Sequence, residues 1–387
     1  MRVFYLDDIP TPYRLGVFKA LAGKLGENFK VGFCAGEEPG RNWNLNFSGI
    51  NYKVLDGFQW RPPFQINPFS FKINFSIIRA LSEFKPDMFI VSGYTHPTVF
   101  IAITYCRLKK IPFSVVSETN EHCSSTSGLK WLIKKMIVSP IVRKMSFGLP
   151  CGSQAESYFR LLGVKPDVPC FYFPNTPDTT PIKNTCLELT ESDSCENILT
   201  KYGVKPKEVT ILFVGRLIGA KNPMELIQAY DNLSKSEKSN TNLIIVGAGD
   251  LEGEIKKYAE EYENINHIPW LSEPKDVYEL MCLADIFVLP SVHEPWGAVV
   301  NEAMAAGCCT VTTQKVGAAH DMIENGRSGM IYESGNVTML QKALSEIISN
   351  PSLRSSMSEE AKISADKFSQ NYAASNLLKG LEYVENK

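Results

Sequence analysis

Short apolar runs separated by longer segments of helical period recur twice along this chain, and that alternation restricts the fold more than any other feature. Runs such as Met88 to Ser92 and Thr210 to Val214 are strand-length and carry no polar alternation. They read as strands buried on both faces of a parallel sheet, with the intervening helices as crossovers. In the first half, strands are expected at Arg2 to Leu6, Phe29 to Cys34, Met88 to Ser92, Phe113 to Ser117 and Gly148 to Cys151. Helices are expected over Tyr13 to Leu25, Phe75 to Phe84 and Pro97 to Leu108. The second half repeats the pattern with strands at Thr210 to Val214, Asn242 to Val246, Asn266 to Ile268, Ile286 to Leu289 and Cys309 to Thr312. Between them, about Thr176 to Val204, the composition is that of turns and linkers. The expected organisation is α/β. A doubly wound domain spans 1–178, a linker 179–204, a second doubly wound domain 205–365, and a closing helix 366–387 either lies on the surface or bridges the domains by packing back on the first.

A chain of 387 residues exceeds what one core usually supports, which agrees with two domains. With 44% hydrophobic and 21% charged residues, the composition is that of a globular protein. A net charge of −2 gives no reason to expect a nucleic-acid partner. The ten cysteines form no C-x-x-C pair, so no zinc or redox motif is implied and reduced thiols are expected. The first strand runs into Asp7 and Asp8 rather than a signal-peptide core, and no run reaches the roughly 20 apolar residues of a membrane span. The expected location is cytoplasmic, with the inner face of the membrane as a variant.

The densest signal is Leu289 to Gly307, a strand end, the loop Glu294-Pro-Trp-Gly297, and a helix start. Gly297 permits close backbone approach, and the amides of Ala298, Val299 and Val300 are free donors at a helix N-terminus, suited to a phosphate. Glu302 lies about one turn further on, within reach of the vicinal hydroxyls of a ribose. Glu294, before the helix, is placed for sugar hydroxyls. The structural alternatives are an early-helix charge at Glu302 and a plain turn at Gly297. A second element, Gly215-Arg216 to Lys221-Asn-Pro223, puts two cations after a strand and before a helix, where both can meet one diphosphate and stabilise it as it leaves.

Together with the turn Val246-Gly-Ala-Gly-Asp250 and Gly317-Ala-Ala-His-Asp-Met-Ile-Glu-Asn-Gly326-x2-Gly329, these motifs resemble retaining GT-B glycosyltransferases of family four, the group 1 glycosyl transferases. The resemblance covers about Val209 to Gly329. It implies two Rossmann-like domains facing a central cleft, with Arg216 and Lys221 on the donor diphosphate. Glu294 and the amides of Trp296 and Gly297 would hold the sugar, Glu302 the ribose, and Trp270 and Leu271 would lie near a base, commonly uracil. The implied catalytic set is Glu294, Lys221 and Arg216. No cofactor or metal is expected, since no Asp-x-Asp is present and two cations with a helix terminus supply the charge.

The implied activity is transfer of a hexose-type sugar from a UDP-sugar, such as UDP-glucose or UDP-GlcNAc, to a saccharide or lipid-linked acceptor in cell-surface polysaccharide synthesis. The alternatives are an epimerase or hydrolase of the same fold, or a non-catalytic nucleotide-sugar-binding subunit. In the first half, Tyr13, Arg14 and Gly16 sit where the family faces the donor phosphate and acceptor. His96 ends a strand, and Glu118 stands where many relatives have histidine. From His122 through Ala155 there is no acidic residue, while Lys130, Lys134, Lys135, Arg143 and Lys144 interleave with Trp131, Leu132, Ile133, Ile137 and Val138. Peripheral membrane contact is one reading. An ordinary packed helix with a lysine-rich outer face is the other. The aromatic-rich stretch Phe58 to Phe75 is expected as core.

Overall fold

The computed structural model describes residues 1–37, 45–60, 71–94, 96–124, 126–190 and 195–387. Two compact units emerge, one of Met1–Pro177 with Gln370–Lys387 and one of Asp178–Ser369. Most of the aromatic-rich stretch, including Phe64 and Phe69, lies outside the described residues, and at its ends Phe58, Trp60 and Phe75 are exposed rather than core.

The strands of the first unit are β1 (Val3–Asp7), β2 (Phe29–Phe33), β3 (Tyr52–Val54), β4 (Phe58–Trp60), β5 (Phe71–Ile73), β6 (Met88–Ser92), β7 (Phe113–Ser117) and β8 (Gly148–Pro150). Its first helices are α1 (Pro12–Leu25), α2 (Ser76–Phe84), α3 (Pro97–Leu108), α4 (Gly128–Val142) and α5 (Ser153–Leu161). Six strands form a parallel sheet in the order β3-β2-β1-β6-β7-β8, and β4 and β5 make a separate antiparallel pair. The two-residue period of β1 divides its side chains between two cores. Phe4 and Leu6 join the layer under α2 to α5, whereas Val3 and Tyr5 join the layer under α1. Thr11 caps α1, accepting from the Arg14 amide at 3.4 Å, and Pro12 opens the helix where its missing N–H costs nothing.

The second unit repeats this plan with β9 (Val209–Val214), β10 (Thr241–Val246), β11 (Ile265–Ile268), β12 (Ile286–Leu289), β13 (Cys309–Thr313) and β14 (Gly329–Tyr332). Its helices are α6 (Thr180–Thr190), α7 (Cys195–Lys201), α8 (Pro223–Asp231), α9 (Lys235–Ser239), α10 (Glu252–Glu261), α11 (Pro274–Leu283), α12 (Ala298–Ala306), α13 (Gly317–Met322), α14 (Val337–Ser349) and α15 (Pro351–Lys367). All its strands are parallel, in the order β11-β10-β9-β12-β13-β14. After α15 the chain returns to the first unit as α16 (Gln370–Glu385), which packs on α1 and buries Ala373, Leu377 and Leu381 in the same core layer.

Two further expectations fail. Residues 179–204 are not a linker: they hold α6 and α7, and α6 packs against α11 and α12. Their polar composition hid a narrow stripe, Ile182, Thr185 and Leu189, that is buried at three- and four-residue spacing. Nor are all the thiols reduced, because Cys186 of α6 and Cys282 of α11 form a disulfide. Their separation of 96 residues left no spacing signal. Among the described residues, no helix is long and apolar enough to cross a membrane.

Candidate functional site

In both sheets the strand order reverses direction beside the first strand, the point at which open α/β sheets bind ligands outside their carboxyl ends. In the second unit that point lies between β9 and β12. Arg216 follows β9 and Glu294 follows β12, so the topology brings two sequence-distant loops to one place.

The β9 loop is held by glycine contacts. Gly247 and Gly249 have φ of 149° and 154°, and a Cβ at Gly247 would lie 1.9 Å from the Gly215 carbonyl oxygen. Only glycine allows this approach. Beside it the Gly215 amide donates to Val246 O at 3.1 Å and the Leu217 amide to Ala248 O at 2.9 Å, fixing the backbone on both sides of exposed Arg216. Further on, Lys221 Nζ donates to Glu294 Oε2, joining the two loops, with side chains only 17% and 15% exposed. Asn222 follows in the left-handed region at φ 51°.

Glu225, in the first turn of α8, is buried and accepts from Asn222 Nδ2 and from the Gly335 amide at 3.1 Å. Burial pushes its carboxyl up despite these donors. This clamp on the residue next to Lys221 has no motif in the sequence, because Glu225 reads there as an ordinary first-turn acid.

Across from it, the Glu294 segment is strapped to Lys315 and the first residues of α13. The Glu294 amide donates to Lys315 O at 3.1 Å, the Gly317 amide to Glu294 O at 3.1 Å, and the Ala318 amide to Trp296 O at 2.8 Å. Gly297 adopts φ 92° and hands the chain to α12, at whose N-terminus Ala298 and Val299 lie half-buried. The Trp296 side chain is core: it is buried, with its ring 6.2 Å from that of Phe368.

Glu302 is half-buried in α12 and has no hydrogen-bond or ion-pair partner among the described residues. Burial pushes its carboxyl up to about 7. Beyond β11, Trp270 is 62% exposed and Leu271 half-buried.

In the first unit, the carboxyl ends of β1, β6 and β7 carry a second charged cluster. Asp8 Oδ1 accepts from Lys72 Nζ at 2.7 Å and lies 3.0 Å from His96 Nε2. Burial opposes its ionisation, but His96 and Lys72 together hold the Asp8 carboxyl below its usual range. Lys72 is 1% exposed, an uncommon state for an unpaired lysine and a stable one beside a carboxylate. Asp7, next to it, is buried and pushed up to about 6 by desolvation.

Arg14 is buried, donates to Phe173 O at 3.3 Å, stacks over the Phe173 ring at 4.5 Å and pairs with Glu118 at 3.4 Å. The structure therefore joins Arg14 with Glu118 and His96 with Asp8. Tyr13 lies half-buried in the first turn of α1. Gly16 lies where a Cβ would meet the Gln370 side-chain amide at 1.9 Å, so the α1 and α16 packing accounts for it. Sequence reasoning missed Lys72 and the roles of Asp7 and Asp8. Two adjacent acids at the end of a buried strand were the available signal.

Residues 195–364 match the model of the family glycosyl transferases group 1. Lipopolysaccharide glucosyltransferase WaaG of Escherichia coli K12 is 31% identical over 166 residues, 43% of this chain and 44% of the relative. The Campylobacter jejuni N-acetylgalactosamine-N,N'-diacetylbacillosaminyl-diphospho-undecaprenol 4-alpha-N-acetylgalactosaminyltransferase is 29% identical over 175 residues, 45% of this chain and 47% of the relative. The chain thus spans less than half the length of these curated relatives. Among solved structures, Anabaena Alr3699/HepE in complex with UDP superposes with a TM-score of 0.74 at 16% identity, covering 99% of this chain and 100% of that one. The WaaG crystal structure superposes with a TM-score of 0.64 at 18% identity, over 97% and 98% of the two chains.

Proposed function

We propose that this chain, which has the GT-B fold and whose residues 195–364 match the group 1 glycosyl transferases, moves a hexose-type sugar from a UDP-sugar to a hydroxyl of a saccharide or lipid-linked acceptor in cell-surface polysaccharide synthesis. The observation that carries this reading is the Lys221–Glu294 contact, a cation and a carboxylate from the two loops that flank the strand reversal, beside the N-terminus of α12. A related fold holds UDP in one complex and UDP-glucose in another, which supports a uridine donor. The Campylobacter relative's name describes a lipid-diphosphate acceptor, which supports that acceptor class.

In the proposed reaction, Arg216, Lys221 and the amides of Ala298 and Val299 meet the diphosphate. Glu294 and the amides of Trp296 and Gly297 orient the sugar. The acceptor oxygen bonds to the anomeric carbon as the bond to the diphosphate oxygen breaks. The acceptor proton passes to that phosphate oxygen on the same face, so configuration is retained. Fixed cations favour the charge as it develops, which lowers the barrier rather than merely tightening binding. Because these groups supply the positive charge, the reaction proceeds without metal or cofactor.

A panel of UDP- and GDP-sugars scored by thermal shift tests the donor. A UDP-hexose at about 100 times its dissociation constant is expected to stabilise the protein by about 2.7 kcal/mol. Transfer and slow donor hydrolysis should both survive chelation. Stabilisation by GDP-sugars alone, or activity lost to chelator and restored by Mg²⁺ or Mn²⁺, overturns the assignment. A binding subunit would release no free sugar.

Glu302 gives this reading a pH signature. Ribose hydroxyls donate to its ionised form, whereas burial favours the neutral form, with a carboxyl at about 7. Binding below that pH must first remove a proton, so UDP-glucose affinity should be flat in mild alkali and fall on acidification, approaching tenfold per pH unit at most. Calorimetric titration across neutral pH measures this, and Glu302→Gln should flatten the profile. A wild-type affinity that does not change across this range would remove Glu302 from the ribose.

A further inference from the structure

The Cys186–Cys282 disulfide joins α6 to α11 and sits where both helices meet α12 in the second unit. Cys186 Sγ is 3.9 Å from the carbonyl oxygen of Ala306, the last residue of α12, and Cys282 Sγ is 3.6 Å from that of Ile182. Both cysteines are half-buried, so a small thiol can reach the sulfurs. The packing beneath α6 is narrow. Ile182, Thr185 and Leu189 form its buried stripe, and its ion pairs, Lys183 with Asp366 and Glu188 with Lys275, lie at the surface, where such pairs contribute little. A third thiol stands close by, since Cys308 Sγ donates to Met281 O at 3.1 Å. Burial pushes the Cys308 thiol far up, which keeps it protonated and out of exchange with the disulfide.

What α6 braces is the wall that carries Glu302. The helix α11 follows the loop holding Trp270 and Leu271, and α12 bears Glu302 itself. Burial, and then the carboxylates of Glu302 and Asp178, push the Tyr278 phenol of α11 up to about 12, so α11, α12 and the entry to α6 converge on one polar wall. We propose that Cys186 and Cys282 are a thiol–disulfide exchange site whose state sets nucleotide affinity. Closed, the disulfide holds α6 against α11 and α12 and keeps Glu302 aligned for the ribose. Opened, it releases α6, and binding must then re-order the helix at a cost in affinity. This rests on the uridine-donor reading. The exchange partner is a low-molecular-weight thiol with its disulfide. One protein thiolate attacks the small disulfide, forming a mixed disulfide and expelling a small thiolate. The second protein thiolate attacks that mixed bond, closing Cys186–Cys282 and expelling the other. The protein pair thus loses two electrons and two protons, and the small disulfide becomes two thiols. Opening is the reverse, and because the cysteines stand 96 residues apart it frees a long loop of chain.

The test equilibrates the full chain in glutathione buffers running from reducing to oxidising. The Cys186–Cys282 link is read by differential alkylation and peptide mapping, the order of α6 by amide hydrogen exchange, and UDP affinity by calorimetry. Opening should speed exchange in α6 by at least about tenfold and weaken UDP binding by about tenfold, and reoxidation should restore both. Cys186→Ser and Cys282→Ser should each hold the reduced values in every buffer. Glu302→Gln should remove most of the redox effect on UDP affinity while leaving the effect on α6 exchange, a coupling that a merely structural disulfide would not show. Should the serine variants fold poorly, the wild type opened and closed without substitution gives the same comparison. Full alkylation of Cys186 and Cys282 in the oxidising buffers overturns the proposal. So does UDP affinity that is equal in the two states, or α6 exchange that opening leaves unmoved. UDP that binds in neither state overturns the uridine reading, and the exchange of α6, which needs no nucleotide, then upholds or overturns the switch alone.

Discussion

Lys221→Ala is expected to cut turnover by about 10²-fold or more, and Glu294→Ala by a comparable factor, because each removes a group that meets the donor as charge moves onto the diphosphate. The two losses should differ in kind. In Lys221→Ala the Glu294 carboxylate, only 15% exposed, keeps its charge beside the diphosphate and no longer faces the Lys221 ammonium, so donor binding should suffer along with turnover. In Glu294→Ala the freed ammonium still attracts the diphosphate, so the loss should fall mainly on kcat. Because the residues act as a pair, the double variant should be less impaired than the product of the single effects. Steady-state kinetics of donor hydrolysis measure all three without knowledge of the acceptor. Near-normal turnover in both single variants would remove the pair from the chemistry.

Features carried by local pattern were legible in the sequence. Both central sheets follow from buried apolar runs, and the observed β6, β7 and β12 have the bounds those runs imply. The strands of these sheets that were missed, β3 and β14, are edge strands of only three and four residues, too short to show a period, and the antiparallel pair β4 and β5, three residues each, was missed for the same reason. In the site, Arg216, Lys221, Gly297 and Glu294 stand out because turn chemistry and a helix start constrain their neighbours. What stayed hidden depends on pairs far apart in the chain. Asp8, Lys72 and His96 meet only because β1, β5 and the start of α3 converge, and a lone lysine in an apolar strand gives no hint of its carboxylate. Lys134 of α4 was hidden for the opposite reason, since it folds inward and its Nζ donates to Ser124 Oγ at 2.9 Å. Lysines at regular spacing look outward on a helical wheel until the rotation of the helix against its core is known.

Gly317→Ala should lower turnover by about 10²-fold while sparing most of the affinity for UDP. A Cβ at Gly317 would lie 2.1 Å from the Pro295 carbonyl oxygen and 3.2 Å from Trp296 Cα, so the obstruction is backbone against backbone and no side-chain rotation relieves it. The straps between residues 315–318 and 294–296 must then open, which carries Glu294 away from Lys221. Arg216 and Glu302 hang on other elements, β9 and the body of α12, and their part of the donor grip should persist. The forced overlap is also expected to cost about 1–3 kcal/mol of stability, readable as a lower melting temperature. Gly253→Ala is the control, since its Cβ would meet nothing within 4 Å in α10 and alanine favours the helix. If Gly317→Ala keeps wild-type turnover, or loses UDP affinity as steeply as turnover, the strap does not position Glu294, and the sugar must be held from elsewhere in the second unit.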